Sequence, residues 1–333
     1  MLDKIKIKNI LICGVGGVGG YFGGILANKI DQLRKKEYKT YFLARGPHLE
    51  IIKKDGLQLH SSEGKKFLCK PNLASDNIED FPTPDLCLIC VKSYDLDELV
   101  IKLANFLKED TIIIPLLNGI DIYERIRKNL SKCIVLPSCV YVGSHIEKPG
   151  IVSQSGNPGF FYCGSDPKYP NFKPKPLFEL FHNLRIGKYT IPNAPDPNLS
   201  MFNWREDSYP IIWEKYLLVA SFALITAYTG KTLGGVIFDT ESLELLKKVM
   251  KEIVEIAEKK KIKLPDNIIP KTIEFCKDYP EIKTSYQRDI EKGKKNEGDL
   301  FGGTIIRLGR ELGVPTPVTK LLYSEIQKKV KKI

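Results

Sequence analysis

The sequence lacks an uninterrupted apolar stretch approaching the roughly 20 residues of a membrane-spanning helix. We therefore expect no membrane partner. The chain begins at Met1 and runs almost at once into a strand-like segment, which leaves no room for a signal peptide. A cytoplasmic protein is the resulting expectation.

A paired C-x-x-C metal motif is also missing. Of the eight cysteines, Cys87 and Cys90 have this spacing, and no second copy exists. The pair lies in an apolar strand-like run, and a strand points residues three apart to opposite faces. We expect buried structural thiols and no metal site, with zinc or redox chemistry as the open alternative.

Acidic residues are fewer than basic ones: the chain has 51 lysines and arginines and 40 aspartates and glutamates, which gives a net charge of +11. Part of the excess lies in lysine runs at 259–261 and 328–332, which are typical of solvated helix ends. No basic stripe is interleaved with aromatic residues, so we expect no nucleic-acid partner. A basic protein attracts anions, which suits a phosphorylated cofactor and a carboxylate substrate.

The length of 333 residues and the 43% hydrophobic content predict about two domains with real cores. The first half alternates strand and helix patterns, and buried runs such as 85–91 are typical of parallel strands covered on both faces. After a segment rich in proline and asparagine, helical patterns dominate. We predict an α/β Rossmann-type dinucleotide-binding domain over 1–192, a linker or insertion over 193–208, and an all-helical substrate and catalytic domain over 209–333. The ligand cleft is expected between the two domains.

Smaller elements follow from the same patterns. Residues 57–61 and 65–70 predict a hairpin inserted in the parallel sheet. Helical periodicity predicts further helices over 213–228, 241–261, 299–311 and 315–330.

The most informative motif is a strand that runs directly into a glycine-rich turn. Residues 9–13 are mostly apolar, the spacing G-x-G-x-x-G follows at once, and a helical pattern opens behind it. Glycines permit the tight turn, let the backbone approach a pyrophosphate and let helix and strand pack closely. The helix N-terminus adds free N–H groups for the phosphates. The cofactor-binding residues predicted from this turn are Gly14, Val15, Gly16, Gly17, Val18 and Gly19.

The next strand ends in Arg45, where an NAD-binding unit usually carries an acidic side chain for the ribose 2′-hydroxyl. An arginine fork matches the geometry of a 2′-phosphate. We therefore predict NADPH as the cofactor. The alternative is a solvated arginine in a loop, with NAD bound less discriminately.

Two further strand ends carry polar residues, and ligands bind beyond the carboxyl ends of such strands. Lys92 follows a buried strand and is predicted to bind the cofactor. Asn118 follows the next strand and could hydrogen-bond the nicotinamide ribose or the substrate. The alternative for each is an ordinary turn, because Asn-Gly is a common turn pair.

Lys215 lies near the start of a long apolar helix. A lysine that is partly desolvated in a cleft can act as a general acid near neutral pH. The alternative is a lysine that extends its ammonium group from the helix end into solvent.

Together these motifs resemble the ketopantoate reductase family over nearly the whole chain. The resemblance rests on residues 14–19, 44–46, 91–95, 117–119 and 213–215, and on a late signature in which Ser285 and Glu297 stand twelve residues apart. It implies reduction of a small anionic 2-oxo acid by NADPH, with ketopantoate giving pantoate, a precursor of pantothenate and coenzyme A.

The resemblance also implies roles for individual residues. Lys215 would donate a proton to the developing alkoxide, and Glu297 would orient Lys215 or bind a substrate hydroxyl. Ser285 would bind the substrate carboxylate. Asn118 and Lys92 would hold substrate and cofactor in register, so that the predicted catalytic set is Lys215, Glu297 and Asn118.

The sequence departs from the family at two positions on the catalytic helix. Asparagines usually stand four and eight residues after the lysine, where this chain has Val219 and Ala223. A site without such partners discriminates less between polar and apolar substrates. The open alternatives are a related 2-oxo-acid reductase with a more apolar pocket and a non-catalytic dinucleotide-binding sensor. Asn203 and Arg205, from the predicted insertion, are candidates to enter the cleft, and a homodimer is possible.

Overall fold

The computed structural model describes residues 5–189 and 199–330 and divides the chain into two compact units. The first unit runs to Leu117 and resumes over Ile122–Ser208, and the second contains Asn118–Asp121 and everything from Tyr209. The division differs from the predicted domain boundaries because the short segment after Leu117 groups with the helical unit.

A parallel sheet of six strands forms the centre of the first unit. In spatial order the strands are β5 (Leu73–Ser75), β2 (Lys39–Leu43), β1 (Asn9–Cys13), β6 (Leu86–Ile89), β7 (Ile112–Pro115) and β8 (Ile134–Val135). The chain moves outward from β1 through β2 to β5 and then returns to β6 on the other side, which is the order of a doubly wound dinucleotide-binding sheet. The α/β Rossmann-type fold is confirmed. The turn after β1 lies at the point where the strand order reverses, which is where such sheets bind ligands.

Helices flank these strands, and two of them pack against a second sheet. The helices of the first unit are α1 (Gly17–Gln32), α2 (Gly46–Asp55), α3 (Leu96–Phe106), α4 (Ile122–Asn129) and α5 (Lys175–Asn183). The second sheet contains β3 (Leu57–His60), β4 (Lys66–Cys69), β9 (Ser138–Lys148), β10 (Ile151–Cys163) and β13 (Phe202–Trp204), and a separate two-stranded sheet pairs β11 (Lys188–Tyr189) with β12 (Leu199–Ser200). Phe22 of α1 meets Phe161 of β10 edge to face, with ring centroids 5.4 Å apart.

The predicted hairpin over 57–70 is present as β3 and β4, but its place in the fold was predicted wrongly. It belongs to the second sheet, because β3 pairs in parallel with β10. That partner lies far along the chain, so local alternation could not reveal it.

Part of the predicted linker is also strand rather than linker. Residues 193–198 lie outside the described residues, but β13 pairs in parallel with β10. Phe202 of β13 is buried and stacks on Phe181, with centroids 5.3 Å apart. Burial of this aromatic ring outweighs the weak strand propensity of the surrounding segment.

Asn203 and Arg205 are engaged within the first unit. The Asn203 amide donates to the carbonyl oxygens of Phe161 (3.3 Å) and Ser200 (2.6 Å). The Arg205 guanidinium lies over the Tyr162 ring, 5.2 Å from its centroid. Both side chains therefore contribute to the second sheet.

The second unit is helical around α6 (Tyr209–Thr229). Its other helices are α7 (Leu233–Ile237), α8 (Thr240–Lys259), α9 (Ile268–Lys277), α10 (Ser285–Glu291), α11 (Thr304–Leu312) and α12 (Pro317–Val330), and a π-helical turn over Asp299–Gly303 precedes α11. The predicted helix over 299–311 is thus a π-helical turn followed by an α-helix. Because α6 packs against α7, α8, α10, α12 and this turn, it is apolar on nearly every side.

By length and composition alone, α6 could cross a membrane, and it is the one such helix among the described residues. The sequence expectation overlooked this stretch. Within the unit, 67% of its most apolar window is buried, which is typical of a core helix.

All eight cysteines are free thiols, and seven of them are buried. Burial raises the pKa of Cys69 and of Cys276 to about 12, so both stay protonated at neutral pH. Among the described residues, no group of three or more His, Cys, Asp or Glu side chains is placed to hold a metal ion. The cysteines act here as small apolar packing groups.

Candidate active site

The turn between β1 and α1 requires glycine at two positions. Gly14 has φ +90°, and a Cβ there would lie 2.8 Å from Val91 Cγ1. A Cβ at Gly19 would overlap the carbonyl oxygen of Gly14. The strand and the helix therefore approach more closely than any larger residue allows, as the sequence motif predicted.

The outer side of the same turn fits a dinucleotide pyrophosphate. A Cβ at Gly16 would meet no protein atom within 4 Å, so the backbone is open to a ligand there. The N-terminus of the sixteen-residue helix α1 begins at the next residue and supplies unpaired N–H groups. Val15 is buried and Val18 is half-buried against the core, so these two predicted cofactor residues also anchor the turn.

One neighbour of this turn was not predicted. A Cβ at Gly17 would overlap the carbonyl oxygen of Ser144, in β9. Strand β9 thus crosses the first turn of α1, and Gly17 is needed for that close approach. The sequence signal was the extra glycine, but the strand that approaches it is far away in the chain.

Gly16→Ala should separate cofactor binding from folding. Gly16 has φ −83° and open space beside it, so we expect the melting temperature to stay within about 2 °C of the native value. The methyl group would occupy the approach of a pyrophosphate, so the dissociation constant for NADPH should rise about tenfold or more. Thermal melting and NADPH titration test both expectations.

Gly19→Ala is the matched control, because its Cβ would overlap backbone, and it should lose stability as well as binding. Native NADPH affinity in Gly16→Ala would contradict the assignment of this turn to the cofactor.

Two predicted cofactor residues flank this turn. Arg45 follows β2, and its Nη2 donates to Asp95 Oδ2 at 2.8 Å. Lys92 follows β6 and is half-buried, and its carbonyl oxygen accepts from the Asp95 backbone N–H at 2.9 Å. Asp95, which joins the two, lies in the 91–95 signature, but the sequence analysis assigned it no role.

In the second unit the structure brings together two of the three predicted catalytic residues. Lys215 Nζ donates to Asn118 Oδ1 at 2.8 Å. Lys215 lies on α6 and is only 8% exposed, and Asn118 is half-buried in the segment that follows β7 along the chain. Gly119 has φ +125°, which lets the chain turn directly after Asn118. A buried ammonium group held by an amide oxygen can donate a proton or stabilise an oxyanion.

Glu297, the third predicted catalytic residue, is 7% exposed and precedes the π-helical turn. π-Helical turns are frequent at functional sites. The Tyr216 hydroxyl donates to the carbonyl oxygens of Leu300 (2.7 Å) and Phe301 (3.2 Å) within that turn. Burial raises the pKa of Tyr216 well above its usual value, so the hydroxyl remains a donor. Tyr216 therefore ties the helix that carries Lys215 to the turn that follows Glu297, a link the sequence analysis missed.

Ser285 is the first residue of α10 and is half-buried. Its neighbour Thr284 shares a 2.8 Å hydrogen bond with Thr226 of α6. Thr226 lies about three helical turns beyond Lys215. The predicted carboxylate-binding residue Ser285 therefore lies next to a residue that contacts α6 about three turns from Lys215, the predicted proton donor.

The face of α6 between Lys215 and Thr226 is apolar. Val219 and Ala223 stand four and eight residues after Lys215, so they line the same helical face. Val219 is half-buried and Ala223 is buried. Ser221, the nearby hydroxyl, is buried and donates to the carbonyl oxygen of Leu217 at 2.5 Å. Neither family asparagine is therefore replaced by Ser221.

Comparison with known families decides the relationship. The family model described as "Ketopantoate reductase PanE/ApbA" matches residues 10–168, and "Ketopantoate reductase PanE/ApbA C terminal" matches residues 207–330. The chain belongs to the ketopantoate reductase family. It is therefore a dinucleotide-binding oxidoreductase of a family that acts on small keto acids.

Individual members of the ketopantoate reductase family align over nearly the whole chain. A 2-dehydropantoate 2-reductase from Pyrococcus horikoshii is 25% identical over 320 residues, which cover 96% of this chain and 97% of the relative. The crystal structure of a PanE/ApbA family ketopantoate reductase from Ralstonia eutropha JMP134 is 24% identical, with a TM-score of 0.82, and the match covers 97% of this chain and 99% of that one. D-mandelate dehydrogenase, solved with NADH and anilino(oxo)acetate, is 20% identical, with a TM-score of 0.79 and the same coverage. At these identities the two solved structures show that this chain has the same fold as theirs.

Proposed function

We propose that the protein reduces 2-dehydropantoate to pantoate with NADPH, a step of pantothenate and coenzyme A biosynthesis. The observation that carries the proposal is the buried Lys215 ammonium group, held 2.8 Å from Asn118 Oδ1. NADPH, when bound, supplies the hydride that adds to the keto carbon. A positioned ammonium group is what the developing alkoxide then needs, both for charge stabilisation and for its proton.

Each residue has a defined part in this proposal. The proton passes from Lys215 Nζ to the former carbonyl oxygen, which becomes the product hydroxyl. Asn118 fixes the direction of Nζ by accepting one of its three hydrogens. Glu297 orients Lys215 or binds a substrate hydroxyl, and Ser285 binds the substrate carboxylate.

The cofactor side of the proposal rests on the glycine turn, Arg45 and Lys92. Gly16 leaves the backbone open for a pyrophosphate, and Arg45 supplies a guanidinium group for the 2′-phosphate. Lys92, at the carboxyl end of β6, adds positive charge near the phosphates. We further predict that the protein is cytoplasmic and forms a homodimer.

A related reductase for apolar 2-oxo acids is the second candidate. Val219 and Ala223 replace hydrogen-bonding residues on the helical face that begins at Lys215. The likeness to D-mandelate dehydrogenase, a protein solved with an aryl-bearing oxo acid, is consistent with such a pocket. An apolar wall binds an alkyl or aryl group well and gains little from a substrate hydroxyl.

A matched pair of substrates separates the two candidates. Ketopantoate and 3,3-dimethyl-2-oxobutanoate differ only by the terminal hydroxyl group, and phenylglyoxylate adds a bulky apolar alternative. The measurement is kcat/KM for NADPH oxidation with each. A preference for ketopantoate of 100-fold or more supports pantoate synthesis, since only a site that hydrogen-bonds the hydroxyl discriminates so strongly. Equal or higher values for the apolar acids support the second candidate. Tight NADPH binding without turnover would overturn both and favour a non-catalytic sensor.

Val219→Asn combined with Ala223→Asn should shift this discrimination. The two amides would add hydrogen-bonding groups to the apolar face, so we expect the ratio of kcat/KM for ketopantoate over 3,3-dimethyl-2-oxobutanoate to rise about tenfold or more. Leu218→Asn is the control, because it adds an amide to a different face of α6. An unchanged ratio in the double variant would show that this face does not contact the substrate.

A further inference from the structure

An ion pair crosses the cofactor edge of the parallel sheet. Arg45 is the second residue after β2, and Asp95 ends the short turn Ser93–Asp95 that follows β6. Strands β2 and β6 flank β1 on opposite sides. Because Arg45 Nη2 and Asp95 Oδ2 are 2.8 Å apart, the pair spans the carboxyl end of β1, the strand that leads into the glycine turn with its open Gly16 backbone.

The two partners differ in how firmly they are held. The Asp95 side chain is 23% exposed and that of Arg45 is 79% exposed. The turn that carries Asp95 is anchored, since Arg125 Nη2 donates to the carbonyl oxygen of the buried Ser93 at 2.7 Å. Asp95 is thus a carboxylate on an anchored turn, and Arg45 is an exposed cation whose ion pair with Asp95 an incoming phosphate can replace at little cost.

This geometry restores a group that the end of β2 lacks. In NAD-binding units an acidic side chain there accepts from the ribose 2′-hydroxyl, whereas a 2′-phosphate needs a cation. We propose that Asp95 supplies the missing carboxylate from the neighbouring turn, so that the Arg45–Asp95 pair admits both NADH and NADPH. Asp95 accepts from the 2′-hydroxyl of NADH, and it competes with the 2′-phosphate of NADPH for Arg45.

The inference rests on the proposed dinucleotide-dependent function, but its test needs no turnover. Dissociation constants are measured by calorimetry for NADPH and NADH, and for the fragments 2′,5′-ADP and 5′-AMP, which differ only at the 2′ position. The variants are Asp95→Asn, Asp95→Ala and Arg45→Ala. Glu98→Gln is the control, since it removes one negative charge from α3 in a residue that pairs with Lys102.

The native protein should bind NADH and NADPH with dissociation constants within about tenfold of each other. Asp95→Asn should shift the preference toward NADPH by about three- to tenfold, because the competing charge is gone. Asp95→Ala should also weaken NADH by about threefold or more through loss of the 2′-hydroxyl acceptor. Arg45→Ala should shift the preference toward NADH, and Glu98→Gln should change neither. The fragments should report the same shifts.

A native preference for NADPH beyond about 100-fold would overturn the proposal, as would an unchanged NADH-to-NADPH ratio in both Asp95 variants. The proposed reduction can fail independently of this result. Absence of turnover with every 2-oxo acid would leave the binding ratios measurable, whereas normal turnover with unshifted ratios would refute the role of Asp95 alone.

Discussion

Lys215→Ala is expected to lower kcat about 100-fold or more while the affinity for NADPH stays within about threefold of the native value. General acid catalysis contributes about 10²-fold or more, and no other proton donor is assigned to this position. The glycine turn and Arg45, which are proposed to hold the pyrophosphate and the 2′-phosphate, are unchanged in this variant. Steady-state kinetics and NADPH titration of the same preparation give both values.

A second variant distinguishes proton donation from charge alone. Lys215→Arg keeps a cation but replaces the ammonium with a guanidinium group that does not give up its proton. We expect its kcat to remain at least tenfold below native, and the substrate KM to rise less than in Lys215→Ala, because attraction for a carboxylate substrate is retained.

Lys247→Ala is the matched control for both variants. Lys247 lies on α8, is partly exposed and pairs with Glu244 three residues earlier, so its loss should leave kcat unchanged. Turnover of Lys215→Ala within about tenfold of native would refute the general-acid assignment.

The first part of the fold was accessible from sequence because its signals are local. The apolar strand before Gly14 and the helix after Gly19 specify a strand–turn–helix unit within one short segment, and the spacing of the glycines reports its function. The second sheet had no such signal. Its strand β13 lies in a segment of linker-like composition, and only burial of Phe202 against a distant strand makes it a strand.

In the candidate site, too, the sequence predicts single residues but not the contacts between residues that are distant in the chain. Lys215 and Asn118 were each identified from their position at the start of a helix and the end of a strand, and the structure adds the 2.8 Å contact between them. Asp95 and Tyr216 were assigned no role, because an aspartate at a turn and a tyrosine in a core helix are common in sequences. Their partners, Arg45 and the π-helical turn, are distant in the chain and only folding brings them together.

Asp166→Ala is expected to lower the free energy of unfolding of the first unit by about 3–5 kcal/mol. Asp166 is completely buried and its carboxylate accepts from the Tyr123 hydroxyl (2.8 Å), the Val135 N–H (2.8 Å) and an Arg127 guanidinium N–H. The Arg127 side chain is only 12% exposed. Removing the carboxylate leaves this charge buried without its counter-ion, which costs more than the hydrogen bonds themselves. Urea unfolding monitored by circular dichroism measures the change.

Two further variants test whether the loss comes from the unpaired, buried charge of Arg127. Asp110→Ala removes a half-exposed carboxylate 3.7 Å from Lys108 and should change stability by no more than about 0.5 kcal/mol. Asp166→Ala combined with Arg127→Met removes both charges, and it should be more stable than Asp166→Ala alone, because no unpaired cation remains buried. If the double variant is instead the less stable of the two, the loss comes from the missing hydrogen bonds and packing, and the charge on Arg127 is tolerated by the ring of Tyr169 and the backbone carbonyl oxygens around it.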